Sequence, residues 1–354
     1  MGESQAVPAY WRSSLEHIEQ TVSSVKRGQA DVFARSAGGR DIYAVYYGDK
    51  QDFGRKANYN SACGAGDLTA YAHKTKATKP VIAIVGGIHG GELEGVAAVL
   101  NLIRTLETGA DYGGRADRFL HDCAERFRLV LIPCMNSDGR ARIPFDTLVG
   151  MPLAEMRYYV QGTWKDGTLC GWPGCKAVHP IDGAAAHLGG YFNDDGINLM
   201  HDNFFAPMAK ETRGLMELID RESADATVLL HGGSNSVNHI LPTQYVPPSV
   251  ADKLNRLVDR VHAGYQAKGI PFRPLHGRGT DEQHGFPPSF NLTSALHHAS
   301  GGLSMTFESN MALDAPGVRY SYEDMLEGHY ILFEELLRFM EDGECPIYAN
   351  GAST

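Results

Sequence analysis

The sequence predicts an α/β fold, because aliphatic segments typical of buried strands alternate with segments whose apolar residues recur at helical spacing. The clearest strand is the run PVIAIVGG at 80–87, whose β-branched residues suit a strand that is buried on both faces. The segment that follows places Leu93, Val96 and Leu100 on one helical face. This alternation is typical of a layered fold with a mostly parallel sheet.

The other elements are predicted in the same way along the chain. An amphipathic helix is expected at 8–27, a short strand at 41–48, and a polar, Gly-rich irregular segment at 49–79. Aliphatic runs predict further strands at 128–134, 226–233 and 302–309. Helices are expected at 207–221, 248–267 and 321–341, and the last of them begins after Ser321 with Asp and Glu in its first turns. We therefore expect three regions: an N-terminal region packed on the main domain at 1–79, the main domain itself at 80–342, and a C-terminal tail at 343–354.

Charge and composition exclude several classes of partner. The formal net charge of −10 would repel nucleic acid and anionic membranes, and we expect neither as a partner. The chain shows no secretory signal and no run of 18 apolar residues, so the expected location is cytoplasmic. Six cysteines in 354 residues do not form a disulfide framework, and reduced thiols are expected, although Cys170 and Cys175 in CGWPGC could bridge a loop.

Ionisable side chains follow three of the predicted strands at their carboxyl ends. His89 follows the strand at 80–87, His231 ends ATVLLHGG, and Glu308 ends GLSMTFES. Ligand sites in open α/β sheets lie beyond the carboxyl ends of the strands. We therefore expect these three side chains to meet in one functional site.

The residue types at these positions suit a catalytic metal ion. His89-Gly90-Gly91-Glu92 places a histidine and a carboxylate three residues apart at a strand-to-helix turn, where both can face one point. With His231 they form a His2Glu set, which leaves a zinc ion open to water. A lone histidine is more often a structural residue than a ligand, and the structural alternative for Glu308 is a salt bridge or a solvated rim position. The functional alternative for Glu308 is a general base that takes a proton from water and delivers it to a leaving nitrogen.

These motifs together resemble the zinc carboxypeptidase family (M14). The matching pieces occur in the family's order: HGGE at 89–92, Asn-Ser-Asp-Gly at 136–139, GINLMHDNFF at 196–205, LLHGG around His231, and ASGGLSMTFES at 299–309. The resemblance implies a single three-layer α/β/α domain around a mixed, twisted sheet of roughly eight strands. It also implies one Zn²⁺ per chain, hydrolysis of an amide bond in a small peptide or amide substrate, and an arginine that stabilises the oxyanion.

The resemblance fails at the substrate-binding segment. Met200 and His201 stand where the family carries an Asn-Arg pair that clamps the substrate carboxylate, and Asn198 stands where an Asp usually supports the first zinc histidine. For the oxyanion we prefer Arg157, with Arg142 and Arg140 as alternatives. The predicted substrate-binding residues are completed by polar candidates from other segments: Asn198, His201, Arg142, Arg278 and His284.

Several alternative functions stay open from the residues alone. An aspartoacylase or succinylglutamate desuccinylase-like deacylase of N-acyl amino acids would use the same HxxE…His…Glu arrangement. A non-catalytic binding module on the same fold is a second alternative. A dinucleotide-binding protein is disfavoured because VIAIVGGIHGG lacks GxGxxG spacing, and serine hydrolases and thermolysin-like proteases are disfavoured because GxSxG and HExxH are absent.

Overall fold

The computed structural model describes residues 6–206, 208–278 and 286–344. The strands, in chain order, are β1 Gln29–Arg35, β2 Asp41–Tyr47, β3 Val81–Val85, β4 Arg128–Ile132, β5 Gly162–Trp164, β6 Ala185–Leu188, β7 Ala226–Gly232, β8 His239–Leu241 and β9 Leu303–Ser309. The helices are α1 Leu15–Ser23, α2 Tyr59–Ala65, α3 Leu93–Thr108, α4 Arg118–Asp122, α5 Ser137–Ala141, α6 Leu153–Gln161, α7 Lys210–Glu222, α8 Pro248–Lys268, α9 Leu292–Ser300 and α10 Tyr322–Glu341. Short 3₁₀ turns lie at Leu68–Ala70, Cys123–Glu125, Gly174–Lys176 and Leu199–His201.

One mixed sheet forms the centre of the fold. Its order is β1-β2-β4-β3-β7-β9-β8, and its four inner strands β4, β3, β7 and β9 are parallel to one another. The edges are antiparallel, with β1 and β2 on one side and β8 on the other. The predicted α/β class with a mixed sheet is confirmed, with seven strands among the described residues and a separate two-stranded sheet of β5 and β6.

Helices cover both faces of this sheet because its inner strands are apolar on both faces. Along β3, Ile82 and Ile84 pack into the core beneath α3, α8 and α10, whereas Ala83 and Val85 pack into the core beneath α7 and α9. Successive side chains of a strand point to opposite faces, so a continuous aliphatic run requires two covering layers. The result is the three-layer α/β/α arrangement that the sequence predicted.

The N-terminal region contributes to the same sheet. β2 is hydrogen-bonded to β4, with Val45 opposite Leu131, and β1 extends the sheet beyond β2. The predicted division at residue 79 therefore runs through the sheet, and strands from both sides of it share one core. The sequence did not predict β1, and the segment expected to be irregular at 49–79 contains α2.

The strand register places the functional residues. β7 and β9 pair in parallel so that His231 lies directly opposite Glu308. Because neighbouring residues at the same register position of a sheet share a face, the two side chains point to the same side of the strand ends. The loop after β3 brings His89 to the same edge, since β3 is the other neighbour of β7.

Candidate metal centre and active site

The loop after β3 is held in close contact with the turn at 136–139. The Gly90 N–H donates to the carbonyl of Gly190 at 2.7 Å. A Cβ on Gly90 would lie 2.0 Å from the backbone nitrogen of Arg140, which leaves no space for a side chain. Asn136 caps α5 by accepting a hydrogen bond from the Gly139 N–H at 2.8 Å, and this fixes the turn against which the loop packs.

His89, Glu92 and His231 form one compact group, which we call the metal centre. Their ligand-type atoms all lie within 4.8 Å of one another, and all three residues are buried. His89 Nδ1 lies 2.8 Å from Glu92 Oε1, and His231 Nδ1 lies 3.0 Å from Glu92 Oε2. The two imidazoles therefore turn the same type of nitrogen toward one carboxylate.

The donor set and its electrostatics fit a divalent cation. Burial opposes ionisation of Glu92, but the imidazoles of His89 and His231 lower its pKa to about 2. Burial lowers the pKa of His89, so its ring is held neutral and can offer a lone pair. His231 Nε2 is buried without a hydrogen-bond partner among the described residues. Two imidazoles and a carboxylate are typical ligands of catalytic zinc.

Asn198 and Tyr191 hold the first imidazole in place. His89 Nε2 lies 3.1 Å from Asn198 Oδ1, and since a carbonyl oxygen only accepts, the ring donates from Nε2 and keeps its Nδ1 lone pair for the metal. The Tyr191 ring stacks on His89 with a centroid distance of 3.6 Å. The uncharged Asn198 is thus placed to orient this ring, and its predicted role in substrate binding stays a prediction.

Glu308 lies beside the metal centre, and its carboxylate makes no hydrogen bond or ion pair within the described part of the chain. Burial raises the pKa of Glu308 to about 7, and the Glu92 carboxylate adds to this shift, while His231 and Lys176 oppose it. A carboxylate with a pKa near neutrality suits a general base, because it can both accept and return a proton.

His201 lies on the Leu199–His201 turn, which Asn198 caps by accepting from the Met200 N–H at 3.0 Å. Its Nδ1 lies 3.2 Å from Ser289 Oγ. Burial and then Lys176 lower the pKa of His201 to about 3, and the centre's own histidines contribute in the same direction. His201 is therefore neutral at physiological pH.

Lys176 is a half-buried cation that the sequence analysis did not consider. It ends the turn Gly174–Lys176, and its charge opposes the rise in the pKa of Glu308 and of His231. The sequence signal was weak, because the lysine lies in a Gly-rich segment 84 residues beyond Glu92 with no apolar periodicity around it.

The predicted arginines are placed differently. Arg142 donates to the Asp194 carboxylate and to the carbonyls of Gly189 and Phe192, so its guanidinium is engaged within the loop. Arg157 is half-buried on α6, one turn before Val160, whose side chain lies against Gly91. The oxyanion role of Arg157 and the substrate role of Arg142 stay predictions.

Of the remaining candidates, Arg140 and Arg278 belong to the described residues. Arg140 is buried and donates to the backbone carbonyls of Ser13 and Ile143. Arg278 is exposed at the end of a described segment, and His284 lies outside the described residues. The alternative oxyanion role of Arg140 and the substrate-binding roles of Arg278 and His284 stay predictions.

The predictions on thiols and membrane segments can also be compared with the structure. Cys170 and Cys175 are both buried and are not bonded to each other. Within residues 6–206, 208–278 and 286–344, no helix combines the length and the apolar character that crossing a bilayer requires.

One family model matches the N-terminal part of the chain. Residues 13–146 match the family model described as Zinc carboxypeptidase. Among curated proteins, none matches the chain at a significant level.

Solved structures of carboxypeptidases share the fold across nearly the whole chain. A metallo-carboxypeptidase from Burkholderia cenocepacia has a TM-score of 0.61 at 15% identity, covering 93% of this chain and 70% of that one. A metallo-carboxypeptidase from Pseudomonas aeruginosa, in complex with (2-guanidinoethylmercapto)succinic acid, has a TM-score of 0.57 at 14% identity, covering 93% and 69%. Carboxypeptidase A from Helicoverpa armigera has a TM-score of 0.55 at 11% identity, covering 97% and 77%. At these identities the similarity establishes the fold.

Proposed function

We propose that this divergent zinc carboxypeptidase-like protein hydrolyses an amide bond, in a peptide or another small amide, with one Zn²⁺ per chain held by His89, Glu92 and His231. The observation that carries the proposal is the pairing of β7 with β9. It sets Glu308, a carboxylate without a protein partner in the described chain, directly beside the buried group of three ligand-type side chains.

The metal centre is suited to zinc by its donors. Imidazole nitrogens with a single carboxylate favour zinc over calcium or magnesium, which prefer oxygen ligands. When bound, such an ion supplies Lewis acidity, which polarises a carbonyl and lowers the pKa of water. The three protein ligands would leave a position open for the reaction.

Glu308 supplies the proton transfers. As a carboxylate it takes a proton from the attacking water, and as a carboxylic acid it returns that proton to the leaving nitrogen. Its half-buried position keeps the pKa near 7, so both protonation states are accessible at neutral pH. Asn198 and Tyr191 act through His89 by fixing the ring that faces Glu92.

Metal content is the measurement that tests this proposal. Protein purified without affinity-tag metals is analysed by elemental mass spectrometry as wild type, His89→Ala and His298→Ala. We expect about one zinc per chain in the wild type, as for a single catalytic site, and its loss in His89→Ala. His298 is the matched control, because it is exposed and its Nε2–H donates to the Tyr245 carbonyl, away from the three ligand-type side chains.

Hydrolysis is then measured on N-acyl amino acids, dipeptides and their C-terminal amides. Turnover in the wild type that is lost in Glu308→Gln supports the proposed reaction. Protein without metal, even after zinc is added back, would overturn the hydrolase assignment and favour a binding module on the same fold. Cytoplasmic location and the small-molecule partner stay part of the proposal.

A further inference from the structure

We propose that Ser236 positions the general base: its hydroxyl donates a hydrogen bond to Glu308 Oε2 in the working enzyme and leaves Glu308 Oε1 to exchange the proton with water. This inference rests on the proposed hydrolase function and adds a residue to that same site. Ser236 follows the ligand His231 in the connection between β7 and β8. It acts on the reaction through Glu308 and does not carry the transferred proton itself.

The two side chains converge at Gly233. A Cβ built on Gly233 would lie 2.7 Å from Ser236 Oγ and 3.0 Å from Glu308 Oε2. Both oxygens therefore border the same small region, which stays open because residue 233 has no side chain. The two oxygens are close but not yet hydrogen-bonded. Hydrogen bonds at catalytic groups are often long before substrate binds and tighten in the complex, so a small adjustment of these side chains closes the contact.

The Ser236 hydroxyl has no competing partner in the described part of the chain. Its oxygen is shielded from solvent and makes no hydrogen bond with residues 6–206, 208–278 or 286–344. Such a hydroxyl is costly, because it has lost its hydration without gaining a replacement. The Glu308 carboxylate also lacks a hydrogen bond from these residues, so the hydroxyl supplies a donor and the carboxylate supplies an acceptor.

The turn that carries Ser236 is fixed to the end of β9, the strand of Glu308. The Gly233 N–H donates to the Ser309 carbonyl at 2.7 Å, and the Asn310 side chain donates to the Ser236 carbonyl at 2.8 Å. Within the turn, the Ser236 N–H donates to the Gly233 carbonyl at 3.1 Å. The separation of the serine from the base is therefore set by backbone contacts with the two residues that follow Glu308.

Strained backbone accompanies this arrangement at both strand ends. Ser234 has a φ of 56° and Ala312 has a φ of 51°, in the left-handed region that residues with a Cβ rarely adopt. The Met311 N–H donates to the Ser234 carbonyl at 2.7 Å, and the Ala312 N–H donates to Asn310 Oδ1 at 2.8 Å. Such conformations persist where surrounding contacts impose them, and they are concentrated at functional sites.

The hydrogen bond gives the two oxygens of Glu308 separate tasks. A hydroxyl can donate to a carboxylate and equally to the carbonyl oxygen of a carboxylic acid, so Oε2 keeps one partner in both protonation states. Oε1 takes the proton when the O–H bond of water breaks and gives it up when the new N–H bond forms at the leaving nitrogen. The hydrogen of the Ser236 hydroxyl stays on Ser236 throughout. A base held in one orientation reacts faster than one that must first be aligned.

Infrared spectroscopy tests the contact without a substrate. Difference spectra of the protein as purified, recorded above and below the pH at which Glu308 takes up its proton, give the C=O stretch of its carboxylic acid, identified by its loss in Glu308→Gln. Ser236→Ala should move this band to higher wavenumber, because an accepted hydrogen bond weakens the C=O bond. Ser236→Thr keeps the hydroxyl and should leave the band in place. Ser304→Ala is the matched control, because Ser304 Oγ is also buried without a partner among the described residues and lies on β9.

Kinetics gives the second readout, with a dipeptide or an N-acyl amino acid that the wild type hydrolyses. Ser236→Ala should lower kcat about 10- to 100-fold with KM nearly unchanged, the range expected for a hydrogen bond to a charged group. Ser236→Thr should restore most of the rate, and Ser304→Ala should keep the wild-type kcat and KM. In the Glu308→Gln background, Ser236→Ala should cause no further loss, because both residues act through one group.

The two proposals fail in different ways. An unchanged carbonyl band in Ser236→Ala, or an unchanged kcat in an active enzyme, would overturn the positioning role and leave the hydrolase function standing. An equal fall in kcat in the wild-type and Glu308→Gln backgrounds would also overturn it, since the serine would then act independently of the base. Absence of zinc or of turnover, with a carbonyl band that still shifts in Ser236→Ala, would overturn the hydrolase function alone.

Discussion

Replacing Asn198 with leucine should weaken zinc binding without removing any metal ligand. Asn198 Oδ1 lies 3.1 Å from His89 Nε2 and accepts from the Met200 N–H at 3.0 Å. The side chain is only 1% exposed, so water has no access to replace the lost acceptor. Leucine has a similar volume and leaves the His89 Nε2–H buried without a partner.

The size of the effect follows from that orphaned donor. A buried donor left without its acceptor costs about 1–3 kcal/mol. Since about 1.4 kcal/mol corresponds to a tenfold change in an equilibrium constant, the expected loss of zinc affinity is roughly 10- to 100-fold, the range seen when residues that orient metal ligands are replaced.

Competition of the protein with a chromophoric zinc chelator measures this loss, with Asn198→Asp as the matched variant. Aspartate keeps the acceptor and adds a charge that raises the basicity of the ring, so we expect zinc binding at least as tight as in the wild type. The metal-free Asn198→Asp protein should unfold more easily, because the carboxylate is then buried beside other acidic groups. Zinc affinity of Asn198→Leu equal to that of the wild type would refute the reasoning.

Three further predictions follow from the same geometry. Glu308→Gln should keep its zinc and lose most turnover, and the wild-type kcat/KM should fall as the pH drops through the pKa of Glu308, about 7 without a metal and lower beside a cation; a wild-type rate in the variant would exclude Glu308 as the base. Burial raises the pKa of Glu94 from 4.5 to about 8, so the folded metal-free protein binds a proton that the unfolded chain releases, and its stability falls as the pH rises between these values. Glu94→Gln should therefore stabilise the metal-free protein by about 3 kcal/mol at pH 7 and little at pH 4.5, as measured by urea denaturation; an equal effect at both pH values would contradict this. Gly90→Ala should destabilise the protein by about 1–3 kcal/mol and reduce zinc content, because its Cβ would overlap the Arg140 backbone; thermal unfolding and elemental analysis check this, with Gly64→Ala, where a Cβ has open space, as the control.

Local pattern was sufficient for much of the fold. The strands at 80–87 and 226–233 were predicted because both faces of each are apolar, and the observed β3 and β7 lie within these ranges. The last helix was predicted to start after Ser321, and the Ser321 Oγ does accept from the Asp324 N–H at 3.0 Å. These elements carry their own signals, since periodicity and caps act over only a few residues.

Edge and loop elements carried no such signal. β1 is largely exposed and includes Gln29, Asp31 and Arg35, so its sequence lacks the apolar alternation by which a strand is recognised. Its existence depends on hydrogen bonds to β2, which supply the partner that the local sequence does not specify. The same holds for β5 and β6 within the Gly-rich segment at 135–206.

By itself the sequence determined which residue types stand at the strand ends, and hence that His89, Glu92, His231 and Glu308 could share one site. The tertiary structure alone decided which other side chains reach it. The parallel pairing of β7 with β9 set the position of Glu308 relative to His231, and the packing of a distant loop stacked Tyr191 on His89. The physical reason is that a strand end has a direction fixed by local geometry, whereas a side chain on a long loop is positioned only by the contacts the loop makes after folding.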